Sequence, residues 1–70
     1  MQVLVHTIHN YRNFKYVVEV INPGSNNLEL FSEIRTWLFD NHIANQEHAI
    51  EAIWYLERRD DLTLFMLRWA

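Results

Sequence analysis

Imidazole changes protonation near neutral pH and binds metals, so histidines are the first side chains to weigh for chemistry. The chain has four: His6, His9, His42 and His48. His6 and His9 stand three apart in a segment with strand character, so their side chains point to opposite faces and cannot share a metal. His42 and His48 flank a turn and lie close in sequence to Glu47. A metal-dependent hydrolase assembled from these three, if necessary across a dimer interface, is one reading. Their spacing matches no diagnostic ligand pattern, and polar surface or capping roles are the plainer expectation. No metal site and no cofactor are expected.

The carboxylates Glu29, Glu33, Asp40, Glu47 and Glu51 fall on the outward sides of two helical patterns. A general acid–base pair needs a pocket and a perturbed pKa, and a solvated helix face supplies neither. Together they make a candidate acidic patch that would steer a basic partner surface onto the chain. Ser25 and Ser32 are the only serines, there is no cysteine, and Gly24 is the only glycine. Disulfides, thiolate metal sites and glycine-rich phosphate loops are thereby excluded, and neither serine has a base at a spacing that suggests a nucleophilic triad. The expectation is that the chain is not an enzyme.

Net charge is −3 and the basic side chains are spread along the sequence, with only Arg58 and Arg59 adjacent. General nucleic-acid binders carry a basic footprint, so nucleic acid is not the expected partner. A regulator contacting nucleic acid through Arg12, Lys15, Arg58, Arg59 and Arg68 remains an alternative. The aromatics carry a stronger signal: ten rings in seventy residues, three of them tryptophan. A domain of this size buries only about 60% of its unfolded surface, so some rings must be open or covered by a second copy. Large aromatics are also the side chains most enriched at binding hot spots. Tyr11, Trp54, Tyr55, Phe65, Leu67 and Trp69 are the candidate dimer or partner interface, although Phe65 also suits a core.

These side chains need elements to hold them. Residues 2–9 and 14–21 are rich in β-branched residues and form a hairpin about the polar loop Asn10–Asn13. A symmetric loop sets Ile8 opposite Lys15, His6 opposite Val17 and Leu4 opposite Glu19. The more apolar face (Val3, Val5, Phe14, Tyr16, Val18, Val20) then turns to the core. Asn22 to Asn26 holds the only Pro and is a turn. Residues 27–40 have helical spacing, with Leu28, Leu30, Phe31, Ile34, Trp37 and Leu38 on one side. Asn41-His42 ends that helix. A second helix is expected from about residue 44 to 59, with Ala49, Ile50, Ala52, Ile53 and Leu56 as its stripe. Asp60-Asp61 breaks the pattern, and residues 62–69, apolar on both alternating faces, read as a third strand.

The expected fold is one α+β domain over residues 1–70, ordered ββααβ: a three-stranded antiparallel sheet with a two-helix hairpin on one face. No apolar run is long enough to cross a bilayer and the N-terminus lacks signal-peptide character, so a cytoplasmic protein is expected, or one of the host cytoplasm if the gene is viral. The expected function is a non-catalytic protein-binding module that inhibits or regulates a larger host protein complex, homodimeric, with no membrane contact. In size and character, not in sequence, this suits small phage- or mobile-element-encoded inhibitors of the anti-CRISPR and anti-restriction kind.

Overall fold

A computed structural model of the chain describes residues 1–22, 27–48 and 52–70, with only the backbone of residues 9–11. Strands β1 (Gln2–Tyr11) and β2 (Phe14–Ile21) form an antiparallel hairpin. Val17 pairs with His6 and Glu19 with Leu4, the register the symmetric loop predicts. The register shifts between Thr7 and Tyr11, where Tyr11 pairs with Phe14 about a two-residue turn. The proposed Ile8–Lys15 pairing falls in that irregular stretch. Arg12, first residue of the turn, has φ of 54°, which suits the tight right-handed twist of short hairpins.

Helix α1 (Asn27–Asp40) ends where Asn41-His42 suggested. His42 adopts the left-handed conformation at φ 55°. Its N–H bonds to the Phe39 carbonyl at 3.1 Å and the Ile43 N–H to the Leu38 carbonyl at 3.0 Å. This is the Schellman closure, completed by burial of Leu38 and Ile43 in one cluster. His42 thus occupies a position that usually takes glycine.

Two expected elements are exchanged. The segment read as a second helix is a β-hairpin of β3 (Asn45–His48) and β4 (Ile53–Leu56); Ala49, Ile50 and Glu51 lie outside the described residues. Burial alternates along Ile53-Trp54-Tyr55-Leu56, the period of a strand. Branched and aromatic side chains there outweigh a helical stripe that depended on two alanines. The segment read as a third strand is helix α2 (Arg59–Trp69). Phe65 and Trp69 are buried and Leu62 and Met66 half-buried, while Thr63, Leu64, Leu67 and Arg68 are exposed. Burial at 62, 65, 66 and 69 has helical spacing, and Asp60 and Asp61 in the first turn favour the positive end of the helix. They open the helix instead of breaking one.

The order is therefore ββαββα. The sheet has four antiparallel strands in the order β1-β2-β4-β3, so the α+β class stands with one strand more than expected. Tyr16, Val18 and Val20 of β2 share a face with Trp54 and Leu56 of β4, and both helices pack there. Trp54 is the hub: its ring meets Phe31 of α1 at 5.8 Å and Phe65 of α2 at 6.5 Å between centroids. Ile34 and Leu38 complete the layer. Leu28, placed on the apolar side of α1, is instead 83% exposed. Phe39 is open to solvent as well, so the chain does leave aromatic surface uncovered.

Candidate functional site

The hydrogen-bonding direction of each strand residue follows from one contact. The Val20 N–H reaches across to the Ala52 carbonyl at 2.8 Å, so Val20 points its backbone toward β4. In an antiparallel ladder the direction alternates, which turns Val17, Glu19 and Ile21 toward β1. Their partners Gln2, Leu4 and His6 then point back at β2. Val3, Val5 and Thr7 therefore aim their N–H and C=O groups outward, along a free edge.

Over its regular part, Gln2 to Thr7, ahead of the irregular stretch, that edge is unguarded. From Gln2 to Tyr11 it holds no Lys, Arg, Asp, Glu or Pro, and Val5 is 40% exposed. The opposite edge, β3, has four residues, all polar, with Glu47 among them. Short polar edges are how sheets avoid pairing with other chains, and β1 lacks that protection. Beside it lies the sheet face without helices, carrying Leu4, His6, Val17, Glu19, Ile53 and Tyr55. His6 Nε2 approaches Glu19 Oε1 at 3.5 Å there. The outward direction of Val3 and Val5 was readable only once β2 had neighbours on both sides.

Of the aromatic interface candidates, Trp54, Phe65 and Trp69 are core residues that keep little or no surface. The structure corrects their role: β4 and α2 turn these rings inward against α1. Trp37 meets Phe65 and Trp69 edge-on, and the Arg68 guanidinium sits 4.0 Å from the centre of the Trp69 ring. Trp69 Nε1 is buried with no hydrogen-bond acceptor among the described residues. Leu67 is 78% exposed, and Tyr55 is half-buried on the helix-free face, touching Phe14. The Tyr11 side chain is outside the described set.

The acidic candidates divide. Glu29, Glu33 and Asp40 are exposed on α1, and Glu33 and Asp40 border a shallow groove between the helices with Trp37, Arg68 and Trp69. Glu51 lies outside the described residues. Glu47 does not sit on a helix. From β3 it turns to the helical side, opposite Trp54, where its Oε1 accepts from Trp54 Nε1 at 3.0 Å and from Arg35 Nε at 2.6 Å. The bond to the Glu47 carboxylate raises the Arg35 pKa above its ordinary value despite some desolvation. Glu47 is thus a structural acceptor. His48, its neighbour on β3, faces the other side with Ile53, and His42 closes α1. The His42–Glu47–His48 trio does not assemble. Among the described residues, no group of three or more His, Asp or Glu side chains is placed to hold a metal.

The fold gathers basic residues that the sequence scatters. Arg12, Lys15, Arg58 and Arg59 line one concavity of about 610 Å³ with Asn13, Tyr16, Glu57 and Asp60. It lies where the β1–β2 turn meets the start of α2. Arg12 donates to Gln46 Oε1 at 3.3 Å, and Arg58 lies 3.8 Å from Asp60 with both side chains largely exposed. Arg68, the fifth basic candidate, lies elsewhere, on Trp69. No helix among the described residues is long and apolar enough to cross a membrane. Comparison with protein-family models, curated proteins and solved structures gives no match.

Proposed function

We propose that the chain is a non-catalytic protein-binding module that dimerises through the edge of β1 and presents α1 to a larger protein partner. The observation that carries this reading is the ten-residue edge strand without a charge or a proline. Two copies can pair antiparallel about Val5, with Val5 against Val5 and Val3 against Thr7, using the backbone groups that point outward. Val3 and Val5 lie on the helical side of the sheet, so this pairing would extend the apolar layer across both copies. A dimer of this kind leaves Glu29, Glu33 and Asp40 on the surface of α1. Such a patch suits a basic face on the partner, a regulated or inhibited protein complex of the host. The small phage-type inhibitors named above remain an analogy of character.

Sedimentation velocity at micromolar concentrations tests it. The wild-type chain should run as a dimer and Val5→Lys as a folded monomer, since a lysine on an edge strand opposes pairing. A wild-type chain that is monomeric throughout would remove the dimer, and a dimeric Val5→Lys would move the interface away from β1.

A further inference from the structure

Four of the six basic residues line the concavity between the β1–β2 turn and the start of α2. Two carboxylates, Glu57 and Asp60, share it. The lining is net positive, while the rest of the chain holds two basic and seven acidic side chains. Such segregation in an acidic protein concentrates positive potential at one end, where anions are drawn in. The side chains of Lys15 and Arg59 make no ion pair or hydrogen bond among the described residues. Neither charge is held at ion-pair distance by a carboxylate among the described residues. Arg58, the residue capping α2, is extended at φ −113° and ψ 142° and provides no side-chain cap, while Asp60 and Asp61 in the first turn already complement the positive end of the helix, so the basic side chains alone carry the positive potential. Tyr16, half-buried against the core, also lines the concavity.

We propose that this concavity binds a phosphate group, borne by a nucleotide or by a nucleic-acid strand. Guanidinium groups match phosphate oxygens in a planar fork, and lysine adds a mobile point charge. The volume admits a nucleotide. Tyr16 is placed to offer a surface for a base, since stacking on a ring tolerates any base. Arg12 and Arg58 hold the rim through contacts with Gln46 and Asp60, leaving Lys15 and Arg59 as the principal phosphate contacts.

The test is fluorescence polarisation with a labelled single-stranded oligonucleotide of about 12 nucleotides, at about 25 mM salt, where each phosphate contact contributes roughly tenfold in affinity. Binding should weaken with salt at a log–log slope no steeper than about −3, the limit for four contacts on a single strand. Lys15→Gln with Arg59→Gln should lose at least about tenfold, and Arg68→Gln, which removes a charge outside the concavity, less than about twofold. Both altered side chains are exposed, so the double variant should fold, which its melting curve verifies. Competition by thymidine monophosphate separates the sources. Displacement at concentrations matching the strand's own affinity would identify a nucleotide site, and displacement only at far higher concentrations a strand site. No polarisation change for oligonucleotide and no melting shift with thymidine monophosphate would overturn the proposal. So would an equal loss of binding in Arg68→Gln.

Discussion

Glu47 shows how far a residue's role depends on which side of a strand it occupies. On the helix expected from the sequence it would be one solvated acid of a patch. On β3 its Oε1 is the acceptor for the buried indole of Trp54, the ring on which both helices rest. Removing the acceptor with Glu47→Ala leaves that N–H buried and unpaired, and should lower stability by about 1–3 kcal/mol. Glu47→Gln keeps an oxygen for the indole and loses only the attraction to Arg35, whose side chain is 48% exposed. Exposed ion pairs contribute at most about 1 kcal/mol, so Gln should be the milder change. Urea denaturation of both variants measures the difference. Equal losses would mean that charge matters there and the acceptor does not. A partner-binding role for Glu47 would move neither midpoint.

At the scale of elements, β1, β2 and α1 were legible because each had one dominant period, while the turn expected from Asn22 to Asn26 lies, but for Asn22, outside the described residues. The β1–β2 register, the span of α1 and its end at Asn41-His42 all followed from alternation, helical spacing and polar breaks. The last third was not, because short apolar runs satisfy two periods at once. LTLFMLRW is apolar on both faces of a strand, yet Leu62, Phe65, Met66 and Trp69 also fall on one helical stripe. Asp60-Asp61 did not decide between them, because the pair suits a helix start as well as it suits a break. Conversely, the Ile53–Leu56 run is too rich in branched and aromatic side chains for a helix facing a sheet. Thr63 supplies a test whose sign depends on the element. Its Oγ1 bonds back to the Arg59 carbonyl at 3.2 Å on the exposed side of α2. In a helix, Thr63→Ala gains about 0.5 kcal/mol of intrinsic propensity and should raise the melting temperature by roughly 2–4 °C. A strand would lose stability from the same change.

For the whole molecule, the question is what covers the surface that one short chain leaves open. Val5, Leu64, Leu67 and Phe39 are exposed on different sides, and only Val5 lies on an edge whose backbone also needs partners. Pairing at β1 satisfies apolar and polar groups together, which contact through Leu67 on α2 would not. If folding and pairing are coupled, melting depends on concentration, because unfolding of a dimer releases two chains. With an unfolding entropy of about 2 cal/mol/K per residue over two chains of 70, each tenfold rise in protein should lift the midpoint by about 5 °C. Val5→Lys should flatten that dependence while leaving the fold's circular dichroism unchanged, and Leu67→Lys should keep it. A midpoint independent of concentration in the wild type would mean the β1 edge stands open, ready to take a strand from another protein. A dependence abolished by Leu67→Lys and kept by Val5→Lys would place the second copy on α2, leaving β1 as the edge offered to the partner.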